Sequence, residues 1–181
     1  LVCGERPNPY LQLALRSEDE AENRFEYYFT FPQNLNQQMV SAADVILFQG
    51  GLELNDAQRF FVQQAQNQGT GLLFLPEKNM DVEKFNALVK DYMSLQFNEM
   101  EQLDGGHFLS VSMQAPGVDF LEIFQKEMFD NIKINGYFPA ASTAASRLML
   151  SNGRPLLIAE KNVGLFTAPL VPECGNFVHQ G

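Results

Sequence analysis

Residues 43–76, ADVILFQGGLELNDAQRFFVQQAQNQGTGLLFLP, read as one strand-helix-strand unit and decide the fold class of the chain. Val45 to Phe48 form an unbroken apolar run and Leu72 to Leu75 repeat it. Such runs belong to parallel strands covered on both faces, not to the alternating pattern of a half-solvated sheet. Between them, Asn55 stands where an N-cap is needed, Gln58 follows three residues on to complete a capping box, and Gly69 supplies a stop. Ala57, Phe60, Phe61 and Ala65 recur at helical spacing and read as the buried stripe. Two parallel strands joined by a helix imply a right-handed crossover in an open α/β sheet.

Upstream of this unit, Leu1 to Cys3 and Phe25 to Phe31 read as strands, with helices over Tyr10 to Arg16 and Asn34 to Val40. Downstream, Asp81 caps a helix that runs to Met93, with Val82, Phe85, Leu88, Val89 and Met93 on one face. The second half changes character. Strands are expected at Phe97 to Met100 and Phe108 to Met113, with Asp104-Gly105-Gly106 turning between them, and a short helix at Asp119 to Met128. Ile132 to Tyr137, Arg147 to Leu150, Leu156 to Glu160 and Val163 to Ala168 complete the strands, Asn152-Gly153 closing a hairpin between the second and third of these. No repeat, low-complexity tract or long linker divides the chain, so 1–181 is read as a single domain.

Composition narrows the function classes. With 181 residues and 45% hydrophobic content, the chain is long enough for one well-buried core and short for two. Twelve basic against twenty-two acidic residues, a formal charge of −10, argue against nucleic acid or an anionic membrane surface as partner. No stretch approaches the roughly 20 apolar residues that cross a bilayer, so this segment is not expected to span one. Cys3 and Cys174 are the only thiols, at opposite ends, and read as buried or incidental. With two histidines and no ligand-spaced pair, no metal is expected. No phosphate-loop lysine or GxGxxG pattern follows Gly50-Gly51, so no nucleotide or other cofactor is expected.

The segments ADVILFQGG (43–51) and GLLFLPE (71–77), with a helix between them, resemble the core of class I glutamine amidotransferase-like domains. More closely, NPYL (8–11), GLLFLPEKNMDVEKFNAL (71–88), NGRPLLIAEK (152–161) and GLFTAPLVPECGNFVHQG (164–181) resemble the C-terminal soluble domain of BatA-like, aerotolerance-related Bacteroidetes membrane proteins. The resemblance implies a flavodoxin-like, class I glutamine amidotransferase-like fold. Its open, mostly parallel sheet carries helices on both faces and an antiparallel C-terminal hairpin extension. It also implies a segment excised from a larger membrane-anchored protein, held on the periplasmic side of the bacterial inner membrane. Partners are then other domains of the same polypeptide or envelope proteins, and the aromatic run from Phe25 to Phe31 allows a weak homodimer.

The chain departs from the enzymes of that fold at both reactive positions. The family's nucleophile elbow falls on Pro76 or Glu77, and the late strand that carries the family's histidine reads Phe166-Thr167-Ala168-Pro169. No catalytic residue is therefore assigned, and a noncatalytic interaction or ligand-sensing domain is expected. The alternative is a hydrolase or amidotransferase with a displaced site drawn from Glu77, Glu173, Cys174 and His179. The ligand-binding candidates are Gly50 and Gly51, whose backbone turns after a central strand, and Glu77, Lys78 and Asn79 at the end of the next. Glu173 joins them if the last loop folds over the sheet end.

Overall fold

The computed structural model describes residues 1–15, 26–113, 131–142 and 146–176. Within these, the chain forms β1 (Val2–Cys3), α1 (Pro9–Leu15), β2 (Phe29–Thr30), α2 (Gln37–Ser41), β3 (Val45–Gln49), α3 (Asp56–Asn67), β4 (Gly71–Leu75) and α4 (Val82–Val89). It continues through β5 (Leu95–Phe97), β6 (Glu101–Gln102), β7 (Leu109–Met113), β8 (Lys133–Ile134), β9 (Gly136–Tyr137), β10 (Ala140–Ser142), β11 (Ser146–Leu150), β12 (Pro155–Glu160) and β13 (Val163–Phe166). The helix read at 119–128 lies outside the described residues.

The central unit forms as its pattern dictates. β3 and β4 pair in parallel from Val45 opposite Gly71 to Gln49 opposite Leu75. Asn55 accepts from the Gln58 amide while the Gln58 side chain accepts from the Asn55 amide, closing the capping box. The buried stripe of α3 agrees with the apolar reading in part: Ala65 is buried and Phe61 packs against the core, whereas Ala57 and Phe60 (61% exposed) face outward and Gln58 and Val62 face inward instead. The reason is Gln58. Its Nε2 donates to the carbonyls of Pro32 at 2.7 Å and Leu35 at 3.1 Å, so a polar residue leads the inward stripe and the buried face is rotated from the one the apolar pattern marks.

Among the described residues the main sheet has nine strands in the order β2-β1-β3-β4-β13-β12-β11-β7-β8. The five from β2 to β13 run parallel to one another, and the remaining pairings are antiparallel. The expected mostly parallel sheet is thus corrected to an evenly mixed one, and the antiparallel part is far more than a hairpin. Short turns decide this, because a parallel return needs a crossover of a dozen or more residues. Only Lys161-Asn162 separates β12 from β13, with Lys161 in the left-handed region at φ 52. Between β11 and β12, Asn152-Gly153 makes the expected turn, the Leu150 amide donating to the Arg154 carbonyl.

Alternation along the parallel strands sorts the core into two layers. Ile46, Phe48, Leu72 and Phe74 pack with Val62 and Ala65 of α3 and Phe85 and Leu88 of α4, while Val2, Leu47 and Leu75 on the other face meet Leu11 of α1. Helices therefore cover both faces of the parallel half. Phe85, Phe97 and Phe138 form a continuous stack with ring centroids 5.0 and 5.6 Å apart. The antiparallel half has its own cluster, which includes Ile134, Tyr137, Leu150 and Leu156.

Several boundaries move. Phe25 of the aromatic run expected from Phe25 to Phe31 lies outside the described residues; of the rest, only Phe29–Thr30 forms a ladder, and Pro32, with no N–H for one, opens a 3-10 turn over Pro32–Asn34. The helix expected to start at Asn34 starts after Asn36, which caps it by accepting from the Met39 amide. The helix after Asp81 ends at Val89. The strand expected at 97–100 is instead mostly the link between β5, which ends at Phe97, and β6, which begins at Glu101, and these pair with β10 and β9 in two small ladders. Asp104-Gly105-Gly106 does turn, with both glycines at positive φ, but the strands it joins lie in different sheets. Candidate membrane-crossing helices are absent among the described residues.

Candidate functional site

β1 lies between β2 and β3, so the chain leaves it first toward one edge of the sheet and then toward the other. Open α/β sheets bind ligands at such a reversal, outside the carboxyl ends of the strands. The carboxyl end of β1 delivers Gly4, Glu5 and Arg6; that of β3 delivers Gln49, Gly50 and Gly51; that of β4 delivers Pro76 and Glu77. A hollow of about 240 Å³ opens there, with Glu5, Gln49, Gly50, Glu77, Asn79 and Lys84 in its lining. A wider hollow of about 450 Å³ adjoins it across Glu5, Gly51 and Lys84 and reaches Phe31 and Glu53.

The two glycines do different work. Gly50 has φ 73, a conformation that side chains resist, and any Cβ there would press against Glu77 Cγ, Cδ and Oε2 at 3.3 Å. At Gly51 the constraint is space: a Cβ would stand 2.6 Å from the Asp81 carbonyl and 3.0 Å from the Phe85 amide. The loop after β3 is thus pressed against the start of α4. Asp81 caps that helix by accepting from the Lys84 amide at 3.0 Å, and the Lys84 Nζ reaches Glu53 Oε1 at 2.7 Å.

Gln49 ends an otherwise apolar strand and is 2% exposed. Its Oε1 is buried without a hydrogen-bond partner among the described residues. Leaving such an acceptor unpaired costs about 1–3 kcal/mol. Glu77, 24% exposed, faces Arg6 at 3.9 Å, a loose pair because Arg6 is itself 73% exposed. Burial holds the Glu77 carboxyl above its usual range, with Arg6 opposing and Glu5 reinforcing the shift.

Of the residues singled out from sequence, the structure brings Gly50, Gly51, Glu77 and Asn79 to one hollow. Lys78 and Glu173 do not line it. Their charges act instead on Cys174, whose buried thiol is pushed up to about 11, chiefly by desolvation, with Lys78 lowering and Glu173 raising it. Cys174 is a free thiol, as is Cys3, which burial pushes up to about 12. Thiols at such values are unionised at neutral pH and are poor nucleophiles. His179 lies outside the described residues. Sequence reading missed Glu5, Gln49 and Lys84. Gln49 was signalled by one polar residue closing the run VILFQ, whereas Glu5 needed the strand order to be seen. No cluster of three or more His, Cys, Asp or Glu suited to a metal occurs among the described residues.

No protein-family model matches the chain, and no match is found among curated proteins. Among solved structures, the chain is similar to part of a β-galactosidase from the psychrophilic Marinomonas ef1, with 11% identity and a TM-score of 0.47. That likeness covers 77% of this chain and 19% of the galactosidase chain, so the galactosidase activity stays with that protein.

Proposed function

We propose that the chain is a noncatalytic ligand-sensing module that holds a small polar molecule at the carboxyl ends of β1, β3 and β4. The observation that carries this reading is the buried amide oxygen of Gln49, without a partner among the described residues, on a side chain that lines a hollow at the strand-order reversal. The resemblance to BatA-like domains supports placing the module in a bacterial envelope protein, on the periplasmic side of the inner membrane. Against a displaced hydrolase site stand the unionised Cys174 thiol and the separation of Glu173 from the hollow that holds Glu77.

Gln49→Leu separates a binding role from a structural one. An acceptor kept unpaired for a ligand weakens the free protein, so the leucine variant should unfold at higher urea, gaining about 1–3 kcal/mol, while losing ligands. Ligand-observed NMR with a library of small polar fragments checks the second half: hits on the native chain should disappear with Gln49→Leu. A destabilised variant that kept its hits would end the proposal.

A second reading, an interaction module, has its own observation. Tyr28, 63% exposed, and the exposed Phe31 flank β2, the edge strand of the main sheet.

A further inference from the structure

We infer that the hollow takes a small organic cation bearing a primary ammonium group; this rests on the ligand-binding reading above and specifies its chemistry. Around the paired hollows stand four carboxylates, Glu5, Glu53, Glu77 and Asp81, against the cations Arg6 and Lys84. Lys84 is closely engaged and Arg6 only loosely. Lys84 reaches Glu53 at 2.7 Å, and Arg6 lies over Glu77 from a highly exposed position. Asp81 gives one oxygen to the α4 cap, and Glu5 makes no ion pair within 4.0 Å among the described residues. An anion entering here would meet uncompensated negative charge, whereas a cation would neutralise it.

A second and independent observation points to a donor. The Gln49 Oε1, on a side chain 2% exposed, lacks a partner among the described residues, and only a hydrogen-bond donor satisfies it. An ammonium group carries three donors and no acceptor, which matches a lining that combines the Gln49 amide oxygen with the carboxylates of Glu5 and Glu77. Volume limits the rest of the molecule. A hollow of about 240 Å³ corresponds to about eight water volumes of ~30 Å³ each, which suits a ligand of fewer than about ten non-hydrogen atoms. The adjoining hollow offers Phe31 and Pro32 to an alkyl tail. The overall charge of −10 adds long-range attraction of the same sign.

The test is a titration of the ¹⁵N-labelled chain, at low salt and neutral pH, with three probes of one size: n-butylammonium chloride, 1-butanol and sodium butyrate. The ammonium probe should shift the Gly50 and Gly51 amides and the Gln49 side-chain amide saturably, and the other two should leave them in place. Glu77→Gln keeps shape while removing charge, and should weaken ammonium binding about tenfold with the remaining spectrum unchanged. Equal or stronger shifts of the same signals by butanol or butyrate would overturn the cation while leaving a ligand site. Silence from all three probes overturns both readings, and unaltered ammonium affinity in Glu77→Gln overturns the assignment of charge.

Discussion

At residue 77 a carboxyl group is held partly out of water beside a glycine turn, and its titration is therefore tied to folding. Desolvation raises its folded-state pKa, so between the ordinary carboxyl range and that raised value the folded chain binds a proton more tightly than the unfolded chain. Stability contributed by this group is complete at low pH and falls as pH rises through that window. Above it, the ionised carboxylate costs the fold free energy, while the loose Arg6 contact returns little. Glu77→Gln removes the cost. The variant should melt above the native chain at about pH 7.5, and the gap should close near pH 4, where the native carboxyl is itself protonated. Melting curves at the two pH values check this; a gap of equal size at both would show that something other than ionisation is being measured.

At the scale of the element, α4 acts on a strand through one side chain. Asn86 accepts from the Phe97 amide at 2.8 Å and donates to the Phe97 carbonyl at 3.0 Å, so its amide stands in for a neighbouring strand beside β5. Phe97 is also the middle ring of the Phe85-Phe97-Phe138 stack. Asn86→Ala leaves both buried backbone groups unpaired and should cost about 2–4 kcal/mol in urea unfolding. A loss below about 0.5 kcal/mol, the ordinary range for surface changes, would sink this account. Here legibility divides along physical lines. The Asn55 and Gln58 box is read from sequence because its partners are three residues apart on one turn, and β3 and β4 are read because packing on both faces writes itself as unbroken apolar runs. The Asn86 bracket is not legible, since an asparagine on a helix looks like surface until the strand beside it is placed. Gln58 misleads for the same reason: its tie to Pro32 and Leu35 brings a polar residue inward and leaves Phe60 exposed, while Phe61 keeps its place against the core. In the candidate site, Gly50, Gly51, Glu77 and Asn79 come from two strand ends that the local pattern already exposes. Glu5 enters only through strand order, a property of pairing energies spread over the whole sheet.

For the whole molecule, the edge at β2 and the insertion of β13 carry the consequences. β2 pairs over only two residues, Phe29 and Thr30, and the exposed Tyr28 and Phe31 stand beside it. We expect weak self-association through this edge, visible by sedimentation at high concentration and abolished in Tyr28→Ser/Phe31→Ser; a double variant that associates as the native chain does would exclude this surface. β13, at residues 163–166, pairs with β4 on one side and β12 on the other. Every strand that shapes the hollow lies within the first 75 residues, yet the open flank of β4 stays unpaired until a segment almost ninety positions later docks against it. At a synthesis rate of about 5–20 residues per second, the gap lasts about 4–18 seconds on the ribosome. During that interval the nascent chain presents a hydrophobic strand edge to its surroundings, so the binding half is drafted early and depends on later translation to be sealed.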